Sequence, residues 1–377
     1  MNAMEKALVY LMHCAANDVK PDISKIESVN QDGLYEFALF HSLASPTAIM
    51  LKRAGIKNEK FDMYLKKTLR RLFLLDHERN AITGRLEEEK IYYCPLKGII
   101  LKDIYGEPGL REMADNDILF DDSKEQEIRK IMLSMGYTEE INPDSNGTHD
   151  SYIKQPALNF EMHKKLFGRY DEENLSKYYD KKLNDLLIKD ENSYAMRFSD
   201  EDFYVFLVAH EYKHLCYVGT GLRSLLDRYV FLSKKGKTLD RGYINAQMRE
   251  LKTDKLEKES GELAFKLFSA EEIPPLTDNE QKMLEMYLRS GTFGTYENLV
   301  SKRLNAESGE NFSKSKYIRK RLFPSRAYLA ESVPFVKKSP LLYPVGYVWR
   351  IIKAAFSKRD RTSSELKTIN NYDKDKG

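Results

Sequence analysis

Residues 94–120 read CPLKGIILKDIYGEPGLREMADNDILF, from Cys94 to Phe120. A short apolar strand ends in Lys97-Gly98, a helix-like segment follows, and Arg111 precedes Asp115 and Asp117, which open a second apolar run, Ile118-Leu119-Phe120. Residues i and i+2 of a strand point to one face, so Asp115 and Asp117 are placed to grip the same metal pair. A third carboxylate on a neighbouring strand would complete such a site. Glu161, in Asn159-Phe160-Glu161-Met162-His163, is the candidate because apolar residues flank it as they would on a central strand. Two divalent cations beside a triphosphate lower the pKa of an attacking hydroxyl and steady the pyrophosphate leaving group. Hard oxygen ligands suit Mg²⁺, with Mn²⁺ as the substitute. Nucleotidyl transfer from an NTP is therefore the leading expectation. A solvated strand edge is the competing account of the two aspartates. Two other D-x-D stretches, at 200–202 and 373–375, lack this context and read as a helix cap and a polar tail.

The sequence around this stretch divides by pattern. Residues 1–90 place apolar residues at three- and four-residue intervals and read as an N-terminal helical region. Residues 91–170 alternate short apolar runs (IYYCPL, DNDILF, DSYIKQ, ALNFEMH) with turn residues and one helix, which starts near Asp122 or Ser123 and stops at Gly136. Residues 171–305 return to helix; Ser199-Asp200-Glu201-Asp202 is a start signal, and LRSLLDRYVFLSKKG ends at Gly236. A basic wrap-around segment containing Ser and Pro follows at 306–356, and a polar, disordered tail is expected from 357 to 377. The fold class is α+β, a small mixed β-sheet core flanked by N-terminal and C-terminal helical regions.

Composition narrows the partners. The 377 residues carry 61 Lys and Arg against 58 Asp and Glu, a net charge of +3, which gives no case for a dedicated nucleic-acid binder. Cys14, Cys94 and Cys216 lie far apart and form no C-x-x-C pair, as expected of reduced thiols in a cytoplasmic protein. No apolar run approaches a membrane span. Tyr343 to Arg359 interleaves Trp349, Ile351, Ile352 and Phe356 with Arg350, Lys353, Lys358 and Arg359. Such a basic amphipathic helix fits peripheral contact with an anionic membrane, or packing back through Trp349.

The stretches LKGIILKDIY, GLREMADNDILF, MGY and NFEMH together resemble the uncharacterised nucleotidyltransferase family of the DNA polymerase beta-like superfamily. Leu34 to Lys90 and the later Ala209-His210, Lys213-His214 and Leu225-Leu226-Asp227 extend the resemblance over most of the chain. The resemblance implies that Asp115, Asp117 and Glu161 bind metal and that Lys97 and Gly98 sit at the triphosphate. Where the wider superfamily has a Gly-Ser pair, Ile99 follows Gly98 here. Lys97 and Arg111 are the candidates to supply the missing grip. A surface lysine, and a salt bridge from Arg111 to Glu107 or Glu112, are the plainer readings of those two. His163 reads as a packed or surface strand residue. Members of such families belong to bacterial surface-polysaccharide systems, which implies a sugar or glycan-related acceptor, with a protein hydroxyl equally admissible.

Two alternatives come from other classes. His210-Glu211-Tyr212-Lys213-His214 matches H-E-x-x-H, which on a helix puts both histidines on one face for zinc hydrolysis with Glu211 as base. Against it, Lys213 brings a charge into the motif, Tyr217 and Thr220 replace the extension, and no Glu lies between Leu215 and Arg249. The missing serine motivates the other, a catalytically silent nucleotide-binding or scaffold protein.

Overall fold

The computed structural model describes residues 1–140, 147–168, 171–295 and 297–300, scattered positions from 315 to 330, residues 333–357, and residues 368 and 369. Apart from residues 357, 368 and 369, the expected disordered tail falls outside the described residues, as does most of the basic segment's first half. The chain forms two compact units, one of residues 1–213 and 220–292, the other of residues 214–219 and 293–377.

The first unit opens with four helices, α1 (Ala3–Asn17), α2 (Gln31–Phe40), α3 (Ala44–Arg53) and α4 (Glu59–Glu88). Asn2, Asn30 and Asn58 each accept an amide from the first turn of α1, α2 and α4, which satisfies donors that the helix leaves orphaned. The α/β part follows: β1 (Tyr93–Pro95), α5 (Lys97–Tyr105), β2 (Asn116–Phe120), α6 (Glu125–Ser134), β3 (Thr138–Glu140), β4 (His149–Lys154) and β5 (Leu158–His163). These strands make one mixed sheet in the order β1-β2-β5-β4-β3. Only β2 and β5 run parallel, with Asp117 opposite Glu161 and Leu119 opposite His163. The short edge strand β3 carries the alternation TEE and gave no apolar signal.

Alternation along β2 and β5 sends Ile118, Phe120, Phe160 and Met162 to one face. There they pack with Leu75 and Ile82 of α4 and with Ile128, Ile131 and Met132 of α6. The one polar residue of β2 on that face, Asn116, is fully buried and donates to the Leu75 carbonyl at 3.0 Å. The opposite face carries Asp117, Leu119, Glu161 and His163. Leu119 there joins Leu101 of α5 in a second core with the later helices.

After β5 come α7 (Glu173–Leu186), a hairpin of β6 (Leu187–Lys189) and β7 (Met196–Phe198), then α8 (Asp200–Tyr217), α9 (Leu222–Lys235), α10 (Arg241–Glu250), α11 (Asp254–Phe268) and α12 (Asp278–Ser290). The β6–β7 hairpin is a departure from the purely helical pattern read after residue 170. Its three-residue strands are too short to show a period, and it is held by a bridge from Ala195 to Tyr93. Ser199 Oγ accepts the Asp202 amide at 3.0 Å, capping α8 as its sequence indicates.

Helix α9 starts against a crowded seat. A Cβ on Gly221 would lie 2.5 Å from the Gly291 carbonyl carbon and 2.6 Å from His41 Nδ1, so only glycine fits. His41 is fully buried, and its Nδ1 accepts the Leu222 amide at 3.3 Å. Burial holds His41 down at about 4, so the native state excludes the proton that the unfolded chain takes up near its ordinary 6.5. The folded pKa is the lower one; stability is therefore complete above pH 6.5 and falls as pH drops toward 4.

In the second unit, α13 (Tyr343–Ser357) follows two 3-10 turns. Leu342, Tyr343 and Tyr347 pack on a small core of Leu329, Val333 and Val336. Val345, Val348, Trp349 and Ile352 stay exposed. Among the described residues no helix is long and apolar enough to cross a membrane.

The His41 seat predicts an acid-sensitive fold. Between pH 7 and pH 5 wild type should lose about 2 kcal/mol through this residue, and His41→Gln should lack that part of the pH slope. Urea unfolding of both proteins at the two pH values measures it; equal slopes would contradict the assignment.

Candidate active site

Helix α5 is what turns the sheet face into a site. The Leu96 amide donates to the Asp117 carbonyl at 2.9 Å, so the first turn of α5 begins beside β2. Lys97 and Gly98 therefore lie in that first turn, not in a glycine turn before the helix. A Cβ on Gly98 would meet Met113 Sδ at 3.0 Å and Arg111 Nη1 at 3.4 Å, so the glycine answers close packing. Ile99, where a serine hydroxyl would stand, is buried in the core under the sheet.

The loop from Gly106 to Asp115 is pinned at several points. Gly109 has φ +94°, a conformation favouring glycine, and its carbonyl accepts Ser45 Oγ at 2.7 Å. Glu112 accepts the Ser45 amide and the Tyr64 hydroxyl, each at 2.7 Å. Arg71 donates to the Ala114 carbonyl, immediately before Asp115.

Asp115, Asp117, Glu161, His163 and His149 gather on this face. His163 Nε2 lies 3.5 Å from Asp117 Oδ1 and 3.6 Å from Glu161 Oε2. His149, opposite His163 on β4, places Nε2 3.5 Å from Glu161 Oε2. Burial raises Asp115 to about 7, and the neighbouring charges of Asp117 and Glu161 add to the rise. Burial also pushes Asp117 up, but His163 outweighs it and brings Asp117 below its usual range. Burial opposes charge on His163 too, yet Asp117 and Glu161 lift it to about 9. His149 is lowered, by burial and then by His163.

Cations line the α5 side. Burial brings Lys97 down to about 8, against the pull of Asp117. Its Nζ lies 2.9 Å from each ring nitrogen of His210 on α8. Arg111 is 4% exposed and pairs with neither Glu107 nor Glu112. Its Nε and Nη2 each donate at 2.9 Å to Asp227 of α9, and Nη1 turns to the Glu112 carbonyl at 3.3 Å. Tyr105 also donates to Asp227, at 2.9 Å. Arg111 is thus committed to a two-pronged ion pair, not open to a phosphate. Arg223, one turn before Asp227, has no hydrogen-bond or ion-pair partner among the described residues; burial and the nearby Arg111 lower its pKa.

The histidine motif on α8 does a different job from the one its spacing suggests. Glu211 is 5% exposed and accepts from Arg228 and from the Tyr287 hydroxyl. Held in that buried network, Glu211 is not placed to activate a water. His210 faces Lys97, and among the described residues the group of three potential metal ligands is His149, Glu161 and His163. Zinc hydrolysis through His210, Glu211 and His214 finds no support in this geometry.

The model of the uncharacterised nucleotidyltransferase family matches residues 27–269, more than half of the chain and all of the residues just described except Tyr287. The chain belongs to this family. Comparison with curated proteins and with solved structures returned no match. The family gives a general nucleotidyltransferase character and a nucleotide substrate.

Sequence reasoning missed Arg223, His149 and the partner roles of His210 and Asp227. The R-x-x-x-D spacing of Arg223 and Asp227 on a helix, facing the same way, was the available signal.

Two substitutions should move stability in opposite directions. Asp227→Ala leaves Arg111 buried and unpaired and should cost about 3–5 kcal/mol. Asp115 is raised in the folded state, so its contribution is lost progressively as pH climbs from about 4 to about 7; Asp115→Asn should stabilise the metal-free protein at pH 8, by up to about 4 kcal/mol, and have little effect at pH 4. Denaturant midpoints with chelator present measure both.

Proposed function

We propose that the protein transfers a nucleoside monophosphate from an NTP to a hydroxyl acceptor, with divalent cations held by Asp115, Asp117 and Glu161. The parallel register that faces Asp117 with Glu161, two residues after Asp115, carries this reading. The acidic charge fits a cation: burial raises the Asp115 carboxyl, and the neighbouring charges of Asp117 and Glu161 raise it further, a conflict that a dication would relieve. When bound, such cations supply Lewis-acid stabilisation of the transferring phosphoryl group and an activated hydroxyl.

The chain's own residues supply the rest. The first turn of α5 offers backbone amides at Lys97 and Gly98 to the triphosphate. Lys97, whose positive charge burial disfavours, would be held fully cationic by a phosphate beside it. Arg223, whose guanidinium has no hydrogen-bond or ion-pair partner among the described residues, would pair with a phosphate in place of the absent serine hydroxyl. Arg111 acts through Asp227, as a positioning residue that fixes the α9 turn bearing Arg223. His210 orients Lys97. The acceptor would be a sugar, a glycan precursor or a protein side-chain hydroxyl, in line with a role in surface-polysaccharide synthesis. The exposed apolar row of α13, beside Arg350 and Lys353, suits peripheral contact with an anionic membrane where such acceptors are carried.

A catalytically silent nucleotide-binding role is favoured by one observation, the buried Ile99 at the serine position. Incubation with NTPs labelled at the α-phosphate, with Mg²⁺ or Mn²⁺ and a broad acceptor panel, separates the two. Transfer should fall at least about 100-fold in Asp117→Ala, and Arg223→Ala should weaken NTP binding about tenfold. Label transfer undiminished in Asp117→Ala would contradict the assigned site, and NTP binding without transfer to any acceptor would favour the silent protein.

A further inference from the structure

The donor set at this site is not made of oxygen alone. Antiparallel pairing sets His149 of β4 opposite His163 of β5, and Ser151 opposite Glu161, so His149, Glu161 and His163 present their side chains on one face. One ligand atom from each lies within 4.8 Å of the other two. Nε2 of His149 and both ring nitrogens of His163 are shut off from solvent with no hydrogen-bond partner. Buried polar atoms are ordinarily satisfied at hydrogen-bond length, whereas here the Glu161 and Asp117 carboxylates stand 3.5 to 3.6 Å from the two Nε2 atoms, so the cluster has room for a further partner.

The spacing matches one kind of partner. Ligands held about 2.1 Å from a tetrahedral ion stand about 3.4 Å apart. The His163 to Glu161 separation is 3.6 Å and the His149 to Glu161 separation is 3.5 Å. Thr148 Oγ1 lies 3.2 Å from His149 Nδ1. It can accept the Nδ1 proton, which leaves the Nε2 lone pair for a metal, as outer-shell partners of ligating imidazoles do. Mg²⁺ prefers oxygen and keeps its waters, whereas imidazole suits borderline first-row ions.

We infer that His149, Glu161 and His163 are the ligands of a first-row transition-metal dication, bound next to Asp115 and Asp117. Three protein ligands leave coordination positions for water or a phosphate oxygen. The inference shares with the proposed function the placing of a cation at Glu161, but it does not depend on the transfer reaction.

Metal binding tests it without nucleotide. Wild-type protein stripped by chelator and dialysed against Co²⁺ alone should take up one tight equivalent and develop visible absorption. His149→Ala and His163→Ala should each weaken Co²⁺ binding at least about tenfold, with circular dichroism showing that they remain folded. Pulsed EPR of the wild type loaded with Mn²⁺ should show nitrogen couplings from imidazole, a readout that needs no variant. Absence of those couplings, or wild-type Co²⁺ affinity in both folded variants, would overturn the assignment. A wild type that binds Co²⁺ through imidazole but transfers no label upholds this inference while the reaction fails; label transfer without nitrogen couplings does the reverse.

Discussion

Parallel pairing of β2 with β5 is the constraint on which the site depends. Side chains alternate along a strand, so a slip of one residue would turn Glu161 away from Asp117 and expose Phe160 and Met162 in its place. The apolar face prevents that slip. Ile118, Phe120, Phe160 and Met162 fill the core under α4 and α6, and Asn116 is tied to the α4 backbone. Hydrophobic burial on one face thus fixes acidic side chains on the other, and the Leu96 amide locks the first turn of α5 beside them.

The price of that arrangement is electrostatic. Burial and like charge hold Asp115 near neutral pH, and burial brings Lys97 far below an ordinary lysine. A site built of such groups is less stable empty than it would be with neutral residues, and it binds counter-charges to the extent that they relieve the conflict. The Arg111–Asp227 pair shows the contrasting solution. There each charge is matched at 2.9 Å inside the protein, joining the loop before Asp115 to α9. One part of the site is finished by its own residues, and the part facing it is open.

Local pattern made much of this legible. The Lys97-Gly98 stretch, the Asp115 to Phe120 strand, the Asn159 to His163 strand and the Ser199 cap each announce themselves within a few residues. Long-range partners do not. Asp227 is 116 residues from Arg111, and His210 is 113 from Lys97. Nearby glutamates were the natural partners to assign to Arg111, but Glu107 pairs with Arg53 and Glu112 with Ser45 and Tyr64. The H-E-x-x-H spacing misled for the same reason: a helix face is visible in sequence, but the Arg228 and Tyr287 that claim Glu211 are not. His149 starts a strand whose apolar residues, Tyr152 and Ile153, identify it, and its place beside Glu161 follows only from the sheet register.

Anomalous diffraction from crystals soaked in Mn²⁺ with a non-hydrolysable NTP analogue tests the central claim most directly. The account predicts metal peaks within coordination distance of Asp117 and Glu161 together, with the triphosphate against the first turn of α5. Peaks elsewhere in the protein, or a Glu161 carboxylate on the α4 side of the sheet, would contradict it.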